Sequence, residues 1–158
     1  MRIFDRGLHA RRRARAAAGF ADYSFLKKVA AEDIALRLGA INRRFDRVLD
    51  LGAHDGLLAN TLRGDPLVGP RLGKIITADM SAAFRPDVIV DEEALPFADG
   101  SFDLVVSALS LHWVNDLPGA LIQIRRVLKP DGLFIGAVLG GRTLGELRQS
   151  LLSAEEEI

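Results

Sequence analysis

Five short apolar runs, most of them stopping at an acid, a glycine or a small residue, constrain this chain more than any other feature. They are Val48-Leu49-Asp50-Leu51-Gly52, Ile75-Ile76-Thr77-Ala78-Asp79, Val88-Ile89-Val90-Asp91, Phe102 to Ser107, and Leu133 to Val138. Their apolar character is continuous rather than alternating. Strands of that kind are buried on both faces, as in a parallel sheet covered by helices.

Helical patterns fill the spaces between the runs. Leu26, Ala30, Ile34, Leu38 and Ile41 share one helix face, with Asp22 as N-cap and Gly39 bending or ending the element. Leu57 to Leu62 reads as helical, and Gly64 to Gly73 reads as a loop. Leu117, Leu121, Ile124 and Leu128 form a second stripe, closed by Lys129-Pro130-Asp131-Gly132. Thr143 to Glu146 matches a capping box that opens a final helix carrying Leu144, Leu147 and Leu151. The expected fold is a doubly wound, Rossmann-like α/β sheet. Ligands in such sheets bind outside the carboxyl ends of the strands.

Composition removes several function classes. The 158 residues are 49% hydrophobic, enough for one domain with its own core. Lys plus Arg and Asp plus Glu both number 21, which argues against nucleic-acid binding by bulk electrostatics. The absence of Cys excludes a disulfide scaffold, thiolate metal sites and a Cys nucleophile. No apolar run approaches the roughly 20 residues of a transmembrane segment. The three His are far apart and form no local cluster with carboxylates, so no metal site is expected.

The charge is nonetheless uneven. Arg2, Arg6, Arg11, Arg12, Arg13 and Arg15 crowd the start, opposed only by Asp5. A solvated basic arm is the plainest reading. An organelle transit segment or an arm for acidic partners is the alternative. Glu155, Glu156 and Glu157 crowd the other end.

The residues with chemistry sit at the strand ends. Gly52 and Gly56 bound a strand-to-helix turn that lets a ligand approach the backbone. The turn lacks the G-x-G-x-x-G of dinucleotide folds. Asp50, two positions before the first glycine, would repel a pyrophosphate but suits a ligand bearing an amino group. Asp79 can accept both hydroxyls of a ribose, and Asp91 ends the third run. One such acid alone is commonly a solvated strand terminus. Three at successive strand ends, beside a glycine turn, point to a ligand.

The order DLGxxxG, a lone acid, D-x-x-x-LPF-x-x-x-SFD and LKPDG, from Val48 to Val138, resembles class I S-adenosylmethionine-dependent methyltransferases. The resemblance implies S-adenosylmethionine as cofactor, lying across the strand ends. It would place Asp50, Gly52 and Gly56 along the methionine and ribose portion, with Ala53 and His54 in the same turn. Asp79, followed by Met80, would serve the ribose hydroxyls, Asp91 and Glu92 the adenine, and Ser107 would border the site from the fourth strand. The family turn reads G-x-G-x-G, and this chain carries His54 at the central glycine.

A closer resemblance spans nearly the whole chain. Ile3-Phe4-Asp5-Arg6, Ser107 to Pro118 and Gly140 to Arg148 look like the methyltransferase-like assembly factors of mitochondrial respiratory complex I and their bacterial relatives. That family is associated with hydroxylating an arginine of a complex I subunit. The resemblance implies a protein acceptor, in the mitochondrial matrix of a eukaryote or the cytoplasm of a bacterium. The malonyl-acyl-carrier-protein O-methyltransferases share the LPF and SFD segments more distantly.

His112 and Trp113 follow the fourth run, where an acceptor would approach. They are the catalytic candidates: His112 for acid/base work, Trp113 for stacking on adenine or a guanidinium. Structural packing is the competing reading for both. Three functions are therefore carried forward: methyl transfer, arginine hydroxylation with an assembly role, and nicotinamide-dependent oxidoreduction, disfavoured by the glycine pattern. The expected division is a basic arm and helical segment over 1–44 and a cofactor-binding unit over 45–158. A class I sheet normally continues past its fifth strand with an antiparallel pair. The chain is thus expected to be the cofactor-binding part of a longer protein, with an exposed sheet edge.

Overall fold

The computed structural model describes residues 3–156; Arg2 and Glu157, counted above in the two charged ends, lie outside the described residues. Helix α1 (Arg6–Ala16) starts at Asp5, whose carboxylate accepts from the Leu8 N–H at 2.9 Å. A 3₁₀ stretch, Ala17–Tyr23, leads into α2 (Phe25–Gly39). Then follow β1 (Phe45–Leu51), α3 (Leu57–Gly64), β2 (Leu72–Asp79), β3 (Val88–Ile89), β4 (Phe102–Ala108), α4 (Leu117–Val127), β5 (Leu128–Ala137) and α5 (Gly145–Glu156).

The strands form one sheet in the order β3-β2-β1-β4-β5, with every pairing parallel. The order reverses at β1, which lies between β2 and β4. A crevice opens at such a switch point, beyond the strand ends. Continuous apolar runs arise because alternate residues feed two cores. Val48, Ile75, Leu104 and Val106 pack with Ile34 and Leu38 of α2 and Leu58 and Leu62 of α3. Leu49, Leu51, Phe102 and Val105 pack with Ala120, Ile124 and Val127 of α4.

Local details differ from the sequence reading. Ser24, not Asp22, occupies the N-cap position of α2. The buried face of α2 is turned by about one position: Leu26 is exposed while Lys27 is buried. Lys129 to Gly132 lies at the start of β5 rather than in a separate helix-closing turn. There the register shifts between Phe102 and Leu104, and Asp131 takes φ 63°. The final helix begins at Gly145, after Leu144 at φ 58°, so Thr143 does not open it. Strand β5 forms one edge of the sheet, and Leu147, Leu151 and Leu152 of α5 are exposed. Among the described residues, no helix is long and apolar enough to cross a membrane.

Candidate functional site

The β1–α3 turn fixes the floor of the site. Gly52 at φ 73° and Gly56 at φ 77° take the left-handed conformation that glycine adopts without steric cost. The Gly52 and Ala53 N–H groups both donate to the Ala78 carbonyl, at 2.8 and 3.0 Å, tying the turn to the end of β2. Ser110 lies against Gly52 so closely that a Cβ there would stand 2.2 Å from the Ser110 side chain. Gly52→Ala is therefore expected to lower stability by about 1–3 kcal/mol, through overpacking and a disfavoured φ. A thermal melt equal to that of the parent would contradict this close approach.

Asp50 is fully buried beneath the turn. One carboxylate oxygen accepts from the Ala59 N–H at 3.2 Å, and the other has no partner. Burial pushes its pKa up to about 6, against the pull of Lys27. The free oxygen is an unused acceptor suited to an amino group.

Asp79 ends β2 with 0% exposure. One oxygen accepts from the Ser81 N–H at 2.9 Å, and the other from the His54 N–H at 2.8 Å. The second oxygen also receives the Arg13 guanidinium. Beyond β3, Glu92 is buried and accepts from the Ser110 hydroxyl at 2.8 Å. Arg6 bridges Glu92 and Asp91, reaching Asp91 at 2.8 Å, and donates to the Trp113 carbonyl at 3.1 Å.

His54 sits in the left-handed region at φ 54°. Its ring stacks on Phe20 at 4.9 Å and meets Phe84 edge-on at 5.6 Å. Burial, with the cationic neighbours Lys27 and Arg13, pushes its pKa down to about 2, so the ring is neutral. Its Nδ1 lies 2.6 Å from Lys27 Nζ and 2.7 Å from the Gly52 carbonyl, and Lys27 donates to that carbonyl at 3.0 Å.

Burial lowers the Lys27 pKa from its ordinary 10.5 to about 8, against the pull of Asp50. The unfolded chain keeps this proton up to about its ordinary value, whereas the folded chain releases it near 8. Between those values the unfolded state binds more protons, so stability rises with pH. Urea unfolding across that window is expected to show the rise, and Lys27→Met to flatten it. An unchanged slope in the variant would remove Lys27 as its source.

The sheet brings most of the expected site residues to one end. Gly52, Ala53, His54, Asp79 and Glu92 surround the β1–α3 turn, and Met80 follows directly on β2. Asp91 stands at the rim, half exposed. Ser107 lies in β4 with its hydroxyl buried and unpartnered. Gly56 caps α3, facing little beyond Asn60 at 4.0 Å. His112 and Trp113 form a 3₁₀ turn after β4. Burial lowers the His112 pKa, and its Nδ1 has no partner. Trp113 is 42% exposed and packs on Phe4 at 5.4 Å and His9 at 4.9 Å.

The basic arm is solvated only in part: Arg11, Arg12 and Arg15 are exposed, whereas Arg6 and Arg13 turn inward. Arg13 is only 6% exposed, and Arg6 is largely covered. Their buried acidic partners hold both against the strand ends. Sequence reasoning missed Arg6, Arg13, Lys27, Ser110 and Asn115 as parts of the site. The spacing of Arg6, His9 and Arg13, three and then four apart, was the available signal: it puts them on one helix face.

Residues 49–136 match the methyltransferase domain family. The chain belongs to that family. It is also 44% identical, over 99% of its own length and 48% of the relative's, to human "Arginine-hydroxylase NDUFAF5, mitochondrial". A malonyl-[acyl-carrier protein] O-methyltransferase of Halorhodospira halophila is 35% identical over 80% of this chain and 46% of that protein. The chain spans about half the length of these relatives. Among solved structures, a chain of the complex between the Haloferax volcanii Trm112 methyltransferase activator and a methyltransferase superposes with TM-score 0.66. It shares 28% identity and covers 80% of this chain and 59% of that one. A Methanococcus maripaludis protein at 24% identity and TM-score 0.62, covering 90% and 69%, shares the fold. The doubly wound, Rossmann-like methyltransferase sheet expected from the sequence is thus the observed one.

Proposed function

We propose that this methyltransferase domain binds S-adenosylmethionine and transfers its methyl group to an acceptor that includes a protein side chain. One observation carries the reading: buried Asp50, with an unused oxygen, lies below a glycine turn, and Asp79 and Glu92 are buried beyond it. An amino acid joined to a nucleoside offers an amino group and ribose hydroxyls that match such acceptors. When bound, the cofactor supplies an activated methyl group on a sulfonium, so the chain needs no nucleophile of its own.

The chain's contribution is placement. Asp50 holds the amino end, with Gly52, Ala53, His54 and Gly56 shaping the backbone around it. Asp79, with Met80 beside it, orients the ribose, and Asp91 and Glu92 border the base. Ser107 bounds the site from β4. His112, whose unpartnered ring nitrogen can accept a proton, and Trp113, half exposed beside the rim, face the acceptor side. The cofactor-binding unit expected over 45–158 carries the site, and residues 3–23 of the N-terminal segment cover it.

A second reading is favoured by the 44% identity over 99% of the chain to the arginine hydroxylase. In that reading the same site holds an arginine of a respiratory complex I subunit, in the mitochondrial matrix or the bacterial cytoplasm, while dioxygen and a two-electron donor from outside the chain supply the inserted oxygen and release water. Mass spectrometry of a co-expressed complex I subunit separates the two. A gain of one methyl supports methyl transfer, and a gain of one oxygen supports hydroxylation. An unmodified subunit overturns it as an acceptor.

A further inference from the structure

The strand-end acids are already bonded within the chain. Arg13 reaches Asp79, the carboxylate proposed for the ribose, and Arg6 reaches Asp91 and Glu92, proposed for the base. Phe20 from the following 3₁₀ stretch stacks on His54 in the glycine turn. Both Asp79 oxygens are engaged, and the carboxylate has no exposed surface. Two ribose hydroxyls cannot be accepted there while the Arg13 guanidinium remains.

The same segment is pinned at its start. Asn115 accepts from the Ile3 and Phe4 N–H groups at 2.8 Å each, and its amide donates to the Phe4 carbonyl at 3.1 Å. The hold is incomplete where it is most buried. Arg13 Nε and Nη1 are buried without partners, as is Arg6 Nε. A buried donor left unpaired opposes the seating of the group that bears it. Strong charge pairing set against unpaired donors suits a segment that seats and lifts.

We propose that residues 3–23 are a self-ligand of the cofactor site: a strap whose guanidinium groups compete with S-adenosylmethionine for Asp79, Asp91 and Glu92. This rests on the cofactor reading above. Binding of the cofactor then lifts the strap and bares its arginines and the Trp113 face, coupling cofactor loading to exposure of the acceptor side. The apparent affinity for the cofactor is reduced by the fraction of molecules with the strap seated.

Trp113 is the only tryptophan and packs against Phe4 and His9 of the strap, so its emission reports seating. The test is Trp113 fluorescence of the full chain, without ligand and during S-adenosylmethionine titration, in the parent and in Arg6→Gln/Arg13→Gln. Without ligand, the double variant should be red-shifted. The parent should shift the same way as cofactor is added. The apparent Kd should be about tenfold lower in the variant.

An unshifted double variant would overturn the strap's charge-dependent seating. A shifted variant with unchanged cofactor affinity would overturn the competition while leaving the cofactor reading intact. A shifted variant in which neither form binds the cofactor, by calorimetry as well, would overturn the cofactor reading and the competition with it. If the double variant fails to fold, Phe4→Ala, which loosens the strap and leaves every acid in place, decides the question by calorimetry, because Phe4 itself touches Trp113: tighter cofactor binding supports the competition and unchanged affinity overturns it.

Discussion

Replacing Asp79 by alanine is expected to weaken S-adenosylmethionine binding by about 2 kcal/mol, a loss of roughly 30-fold, since release of Arg13 offsets part of the lost hydrogen bonding. The carboxylate is the acceptor at the end of β2, and no other acid on that strand end can take its place. Its removal would leave two ribose hydroxyls without a charged acceptor, and hydrogen bonds to charged groups are the stronger class. The variant also strips Arg13 of its partner. In a rigid core, an uncompensated buried charge costs about 3–5 kcal/mol. Here the charge is carried on an N-terminal segment that can move into water, so the stability loss should fall short of that range. Calorimetry measures the first effect and urea unfolding the second. Unchanged affinity would remove Asp79 from the cofactor site. A stability loss of the full rigid-core size would mean that the segment does not lift.

The largest effect on folding is expected from Leu104→Ala. Leu104 is fully buried in β4, opposite Val48 on one neighbouring strand and Leu133 on the other. It also packs into the core shared by α2 and α3. Truncating such a leucine costs about 2–5 kcal/mol in lost transfer energy and residual cavity. Domains of this size have only about 5–15 kcal/mol in total. Leu151→Ala on α5, whose side chain is exposed, should change stability by less than about 0.5 kcal/mol. Equal losses in the two variants, read from urea midpoints, would contradict the division between core and surface.

The sheet was legible because its signal is redundant. Most strands carry an apolar stretch that feeds two helical layers, and each layer contributes its own stripe, as Ile34 with Leu38 and Ile124 with Val127 do. The acids at the strand ends were legible for a different reason. One carboxylate at the end of an apolar run is commonly a solvated terminus, but three at successive strand ends beside a glycine turn are not, so Asp50, Asp79 and Asp91 stood out together.

Side chains whose roles depend on distant partners were not legible. Lys27 lies on a helix face where the periodicity favoured Leu26, and a lysine is rarely buried without several acceptors. Those acceptors, the Gly52 carbonyl and His54, are 25 residues away or more. The first fifteen residues look like a solvated arm for the same reason, since six arginines have only Asp5 nearby in sequence. The counter-charges of Arg13 and Arg6 lie 66 and 85 residues away, at Asp79 and Asp91. His54 replaced a glycine of the family turn, and its left-handed backbone keeps the turn while its ring packs on Phe20.

The proposal as a whole depends on what the strand ends bind. Calorimetric titration of the full chain with S-adenosylmethionine, and separately with NAD, tests it most directly. Saturable binding of S-adenosylmethionine at one site per chain, with no heat from NAD, is expected from an acid-lined turn that lacks a dinucleotide glycine pattern. Binding of NAD without binding of S-adenosylmethionine would contradict it.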